Sequence, residues 1–259
     1  MPPDYDTMYV SPHLDDAVLS CGGQIFQQTQ RRERVLVVTV AAGEPLTAIR
    51  SLFAQLQHHN WGVTAVEATA RRRAEDLAAC AHLGAEVLHW SLPDAVYRLH
   101  PQSHEPLYTS DEDIFGAVDA AEEPLIEDLA QFFTSLPAAR RVVGPLAIGN
   151  HVDHQLARAA SERVWGPALL YYEDYPYVQR DPSALDRLLE PATLWRSYLV
   201  TLGHAALQAR IEATSLYRSQ LGSLFNSAEQ MEVAIARQVA RMGGERLWQQ
   251  VRARCRASE

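Results

Sequence analysis

The chain predicts an α/β fold: a Rossmann-like, doubly wound and mostly parallel sheet with helices on both faces, followed by a helical C-terminal extension. Three observations carry this. Short apolar runs alternate with longer amphipathic ones up to about residue 175, the rhythm of βαβ units. Residues 34–41, Arg-Val-Leu-Val-Val-Thr-Val-Ala, are β-branched and apolar on both faces, which suits a central parallel strand. Two motifs rich in His and Asp fall directly after predicted strands, where open parallel sheets bind ligands.

The elements follow in order. Residues 7–11 are a short strand ending at Pro12, and residues 17–31 a helix. Residues 34–41 are the second strand. Residues 43–60 connect onward with a short helix at most. Residues 63–83 carry a long helical pattern closed by Gly84, whose freedom at positive φ makes it a C-cap. Residues 86–90 are the third strand. Residues 94–113, polar and rich in Pro, His and Tyr, read as a long loop of the kind that is usually functional. Residues 114–136 hold a helix broken near Pro124. Then come a strand at 141–145, a helix at 152–165 and a strand at 168–172. Beyond residue 175 the rhythm changes. Residues 194–202 predict one more strand, and residues 205–221, 228–242 and 245–256 predict helices. The expectation is one domain over 1–259, with a core of about 1–180 and a helical part of about 181–259.

Composition excludes several functions. All 23 basic residues are arginine. Without lysine there is no Schiff-base lysine, no pyridoxal-phosphate anchor and no P-loop lysine. Against them stand 32 Asp and Glu, a formal charge of −9, which argues against nucleic acid or an anionic membrane as partner. The longest strongly apolar run, residues 35–42, is far short of the roughly 20 residues of a membrane span. Cys21, Cys80 and Cys255 form neither an even set nor a CxxC pair. A reduced, cytoplasmic protein is expected.

Two motifs carry the chemistry. The first is Ser11-Pro12-His13-Leu14-Asp15-Asp16, the second Gly149-Asn150-His151-Val152-Asp153-His154. Each lies between a strand and a helix, so both belong at one sheet edge. The three histidines and three carboxylates suit a divalent metal with nitrogen and oxygen ligands, such as zinc with three protein ligands and one open position. Bound zinc polarises a carbonyl and lowers the pKa of its water to about 7. A hydrolase also needs a carboxylate base and a donor facing the developing oxyanion. Taken alone, each motif also fits a helix-capping cluster. Spacing does not decide which of Asp15 and Asp16 touches the metal.

The first motif resembles the His-Pro-Asp-Asp-Glu signature of the PIG-L, or LmbE-like, zinc-dependent N-deacetylases, and the second that family's His-x-Asp-His. The similarity continues through Leu19-Ser20-Cys21-Gly22-Gly23, Arg72-Arg73-Ala74-Glu75-Asp76, Tyr172-Glu173-Asp174-Tyr175-Pro176-Tyr177 and Tyr217-Arg218-Ser219-Gln220. The resemblance implies zinc ligands at His13, Asp16 and His154, and a general base at Asp15. It implies that His151 stabilises the oxyanion or protonates the leaving amine, and that Asp153 pairs with His151 and keeps it protonated. The implied reaction removes an N-acyl group, usually N-acetyl, from a glucosamine-like sugar. Zn2+ is the implied cofactor, though the same ligands hold Fe2+ and other divalent metals. The implied partner is a small N-acylated molecule, and the chain is compatible with a homo-oligomer.

Leu14 stands where the family has Pro, and Ala17 where it has Glu. Arg72 and Asp94 are substrate-binding candidates by similarity, each equally readable as an ordinary surface arginine or a turn cap. Tyr97, Arg98, His100 and His104 are candidates to line the pocket. Two other readings stand beside the deacetylase. One is a metal-dependent phosphoesterase, which would want more ligands for two metals. The other is a non-catalytic metal- or carbohydrate-binding relative.

Overall fold

The computed structural model describes residues 3–45, 51–61 and 65–251. The start of the predicted helix at 63–64, the end of another at 252–256 and Cys255 lie outside the described residues. The chain runs β1 (Tyr5–Ser11), α1 (Asp16–Gln30), β2 (Val35–Thr39), α2 (Leu52–Trp61), α3 (Ala65–Leu83), β3 (Glu86–His89), α4 (Asp111–Ile114), α5 (Glu123–Ser135), β4 (Ala139–Pro145), α6 (Val152–Trp165) and β5 (Leu170–Tyr172). It continues through α7 (Tyr177–Arg180), α8 (Pro182–Leu188), β6 (Trp195–Thr201), α9 (His204–Ser215), α10 (Arg218–Phe225), α11 (Ala228–Met242) and β7 (Gly244–Gln250).

Seven strands form one sheet in the order β3-β2-β1-β4-β5-β7-β6. The first five are parallel, and β7 lies antiparallel to both β5 and β6. The period of two in each central strand splits the core. Met8 and Val10 of β1 join Leu36 and Val38 of β2 in one apolar layer, covered by Leu129 and Phe133 of α5 and Ala157 of α6. Tyr9, Val35 and Val37 face the other layer, against Val18 and Ile25 of α1, Ala79 and Leu83 of α3, and Ala213 of α9. Helices on both faces explain why every residue of β2 is buried. The chain leaves β1 toward β2 on one side and returns with β4 on the other. The crevice beyond β1 and β4 is therefore the topological switch point.

Three local expectations are corrected. Residues 245–256 do not begin a helix: β7 occupies Gly244–Gln250. The Leu247/Val251 spacing resembles a helical face, but Gly243 ends α11 in the left-handed region at φ +78°. Seven residue pairs with β6, and Tyr172 opposite Leu247, then make the strand the better-partnered state. Residues 205–221 are not one helix but α9 and α10, broken before Tyr217, whose buried hydroxyl donates to Asp76 at 2.8 Å. Pro124 does not break a helix; it sits in the first turn of α5, where its missing N–H is harmless. Among the described residues, no helix is long and apolar enough to cross a membrane.

Candidate functional site

Ser11 closes β1 and shapes the first motif. Its hydroxyl donates to the His13 carbonyl at 2.6 Å and accepts from the Ala17 amide at 3.0 Å. The His13 amide donates to Asp16 Oδ2 at 2.8 Å, so loop and helix start are tied together. After β4 the chain reverses through Ala147, Gly149 and Asn150, all at positive φ. His151 then caps α6, its Nδ1 accepting from the Asp153 amide at 3.2 Å. Both motifs reach the switch-point crevice and meet there.

Asp16 Oδ2 lies 3.1 Å from His13 Nδ1 and 3.2 Å from His154 Nε2. These three buried side chains each offer a ligand atom within 4.8 Å of the others. The set fits a divalent metal. His154 Nε2 is buried, and although Asp16 Oδ2 lies 3.2 Å away it is not aligned for a hydrogen bond, so a metal would satisfy it. The other nitrogen of each ring is held by a carboxylate. His13 Nε2 donates to Asp153 Oδ2 at 2.9 Å, and His154 Nδ1 to Asp174 Oδ1 at 2.6 Å. Carboxylates that orient ligand histidines in this way are a regular feature of metal sites. A second trio, His13, His151 and Asp153, meets the same distance criterion. There, however, Asp153 is already engaged by Arg98, His13 and the Ala95 amide, so the first trio is the better candidate.

The expected pairing of Asp153 with His151 is not what the structure holds. Asp153 Oδ1 accepts from Arg98, and Oδ2 from His13 Nε2 and the Ala95 amide at 3.1 Å. Asp153 hydrogen-bonds to His151 only through its backbone amide. Nor is His151 kept protonated. Burial and the neighbouring His13 push its pKa well below the usual histidine value, outweighing the nearby Asp153. With Nδ1 accepting, the proton of the neutral ring sits on Nε2, and the His151 side chain lines the cavity.

Asp15 differs from its neighbour. Burial and the adjacent Asp16 raise its carboxyl to about 6, against the pull of Arg72 and His13. Asp16 is also buried, but His154 and His13 hold it well below the usual carboxylate range. Burial disfavours charge on His154, yet Asp16 and Asp174 raise it to about 9. This concentration of negative charge around two imidazoles is one that a divalent cation would neutralise.

A cavity of about 240 Å³ opens above the trio, with His13, Asp15, Asp16, His151, Arg72 and Asp94 in its lining. That is below the ~300–1,000 Å³ of pockets enclosing a drug-sized ligand, so it takes in a small head group. Arg72 of α3 lies 3.5 Å from Asp94, which follows β3 and also caps the next turn through the Val96 amide. Asp94 therefore caps a turn and also lines the cavity. The expected lining by Tyr97, Arg98, His100 and His104 is not found in this cavity. Arg98 is buried and binds Asp153 and Glu122, and Tyr108 donates to Glu122 at 2.7 Å. Tyr97 bonds His58 at 2.6 Å beside a smaller recess, His100 Nδ1 caps its own loop and His104 is exposed. The sequence reading gave no role to Asp174, Glu122, Tyr177 or Gln220. Asp174 could have been found from its place directly after β5, at the same sheet edge as the motifs.

Comparison with known proteins places the chain in a family. A family model described as PIG-L, GlcNAc-PI de-N-acetylase, matches residues 8–165, from β1 to the end of α6. The 2'-N-acetylparomamine deacetylase of Niallia circulans is 29% identical over 241 residues, 87% of this chain and 84% of its own length. That of Streptomyces fradiae is 30% identical over 220 residues, 83% and 73% of the two chains. The crystal structure of the zinc-inhibited form of the teicoplanin deacetylase Orf2 aligns with a TM-score of 0.80 at 29% identity, covering 96% of this chain and 99% of that one. The strand order, the two motifs at one crevice and the matched span lead to one assignment: this chain belongs to the PIG-L family.

Proposed function

We propose that this protein is a metal-dependent N-deacetylase that removes an acetyl group from an amino-sugar conjugate. The observation that carries the reading is the juxtaposition of Asp15, a carboxyl raised to about 6, with His13 and Asp16 in one cavity lining, His154 completing the trio from behind Asp16. Relatives named for deacetylation of an N-acetylated paromamine point to the same class. His13, Asp16 and His154 would hold the ion, for which zinc is our choice and Fe2+ the runner-up. When bound, the ion supplies Lewis-acid polarisation of the acyl carbonyl and lowers the pKa of water.

The chain's own residues do the rest. Asp15 accepts a proton from the attacking water, as a base with a pKa near the working pH should. His151 presents a neutral Nε2–H to the carbonyl oxygen as negative charge builds there. A C–O bond forms, the C–N bond breaks, and the proton held by Asp15 passes to the leaving nitrogen, giving amine and acetate. Asp153 and Asp174 act at one remove, fixing the ligand rings through His13 Nε2 and His154 Nδ1. Arg72 and Asp94 would bind sugar hydroxyls on one flank. The buried free thiols Cys21 and Cys80 favour a reduced, cytoplasmic setting.

The test is amine release from metal-loaded protein incubated with N-acetylglucosamine conjugates and N-acetylated paromamine. Release that is lost in Asp15→Ala with metal still bound supports the reading. No release across the panel, together with hydrolysis of a phosphate ester, would move the assignment to a phosphoesterase.

A further inference from the structure

Helix α10 carries part of the cavity wall but does not cap itself. Tyr217 precedes it without a side-chain cap. The missing cap comes from another helix. Glu75 of α3 accepts from the Ser219 amide at 3.1 Å through Oε1 and from the Ser219 hydroxyl at 2.5 Å through Oε2. A carboxylate at a helix N-terminus satisfies an orphan amide and faces the positive end of the helix dipole. The next residue of α3, Asp76, accepts from the Tyr217 hydroxyl at 2.8 Å. Two consecutive acids of one helix thus hold the start of the other.

The bonds run on into the cavity. Ser219 Oγ gives its one proton to Glu75, so toward Gln220 it can only accept. Gln220 Nε2 donates to it at 3.1 Å. That fixes which way round the amide stands, with its nitrogen toward Ser219 and its oxygen away. Gln220 lines the cavity and is 7% exposed, and its Oε1 accepts no hydrogen bond from the described residues. Without Glu75 the hydroxyl proton could turn to Gln220, and the amide could stand either way. A glutamate on α3 therefore decides the polarity of an atom on α10.

We infer that Gln220 is a specificity-determining contact whose Oε1 accepts a hydroxyl proton from the amine part of the substrate, and that Glu75 is the positioning residue that keeps it an acceptor. The inference rests on the deacetylase reading above. Arg72 stands three residues before Glu75, on the same side of α3, and lines the same cavity. One helix thus presents a donor directly and sets an acceptor through Ser219. A hydroxyl both accepts and donates, so it answers the pair. A phosphate or carboxylate in the same place only accepts, and would set its charge against Gln220 Oε1. The pair therefore selects a hydroxyl-bearing amine part over an anionic one.

The experiment measures kcat and KM for the methyl glycoside of N-acetylglucosamine, and for its forms lacking one hydroxyl each, in wild type, Gln220→Met, Ser219→Ala, Ser219→Thr and Glu75→Gln. Met keeps the length of Gln without the acceptor. Gln220→Met should lower kcat/KM for the parent glycoside on the order of three- to tenfold, the scale of one neutral hydrogen bond, mostly through KM. With one of the deoxy forms, Gln220→Met and wild type should perform alike. Ser219→Ala and Glu75→Gln should raise KM in the same substrate pattern, and Ser219→Thr, which keeps the hydroxyl, should not. In a Gln220→Met background neither change should add to the loss. A purely structural role would lower Tm and act on every glycoside alike. An unchanged kcat/KM in Gln220→Met, or a loss equal for all the glycosides, overturns the contact while leaving the deacetylase reading intact. Losses that add in the double variants overturn the positioning role of Glu75. Absence of amine release by wild type from this glycoside and from N-acetylated paromamine sinks the deacetylase reading, and the contact with it. Should Gln220→Met not fold, Ser219→Ala against Ser219→Thr carries the same substrate-pattern test.

Discussion

His13 donates from Nε2 to Asp153 at 2.9 Å while its Nδ1 faces Asp16 at 3.1 Å. One bond therefore fixes both the tautomer and the direction of the nitrogen that would bind a metal. Because Asp153 is itself held by Arg98 and the Ala95 amide, the ring has little freedom to turn. Asp153→Asn keeps the shape but removes the negative charge. It is expected to weaken metal affinity by about 10- to 100-fold, the usual effect of losing a ligand's carboxylate partner. Competition with a chelator of known affinity reads this directly. Affinity equal to wild type would remove Asp153 from the metal-orienting role.

Arg98 should matter for stability as well as for the site. It lies buried between Asp153 and Glu122, with Tyr108 completing the cluster. Replacing it by Met leaves two buried carboxylates without their cation. Breaking such a pair by removing one partner costs about 3–5 kcal/mol. For a chain of this length that corresponds to a Tm lower by roughly 6–20 °C. A melt of Arg98→Met within a degree or two of wild type would contradict the clamp.

Asp15 predicts opposite pH effects on activity and stability. As a base it must be ionised, and its carboxyl is raised to about 6. Activity should therefore climb with pH as this carboxyl ionises, with a midpoint below about 6 because a bound cation favours the carboxylate, and kcat/KM should fall about tenfold per unit below that midpoint. For stability the sign reverses. The folded chain holds this proton more tightly than the unfolded one, so the contribution is fully present below the ordinary aspartate value of 3.8 and is lost as pH rises through about 6. Metal-free Asp15→Asn should accordingly melt higher than metal-free wild type above pH 6, and lack activity. A melt that is lower across that range would show the carboxylate to be stabilising instead.

Much of this was legible in residues 1–175. Consecutive β-branched positions announced β2, and the strand-to-helix placement of both motifs announced where they would meet. What escaped was long-range partnering. The His-x-Asp-His motif looked self-contained, because neighbours in sequence suggested that Asp153 serves His151. Only the fold shows Arg98, 55 residues away, and His13, 140 residues away, taking that carboxylate. Likewise β7 carries a helix-like spacing, and its strand character comes from β5 and β6 beside it.

The same lesson explains Gly22 and Gly23, which the sequence marks without a reason. Glu245 of β7 is buried and accepts from the Gly23 and Gln24 amides at 2.9 Å each, while Arg210 of α9 donates to the Leu19 carbonyl at 2.6 Å. Arg210 and Glu245 lie 3.4 Å apart, so an ion pair grips α1 within its span, about one to two turns beyond Asp16. A Cβ on Gly23 would meet Leu202 Cδ1 at 2.5 Å and Glu245 Oε1 at 2.9 Å, and one on Gly22 would meet Arg210 Cγ at 3.1 Å. The two glycines are what let the pair approach the helix. Glu245→Ala is then expected to lower stability by about 3–5 kcal/mol, since Arg210 is left buried without its anion. Gly23→Ala should destabilise as well, through overpacking of about 1–3 kcal/mol. The pair Gly23→Ala and Glu245→Ala together should fall short of the sum, because removing the carboxylate removes one of the two clashes. Urea titration of the two single variants and the double variant measures that coupling, and strict additivity would show that Gly23 and Glu245 do not act on one another.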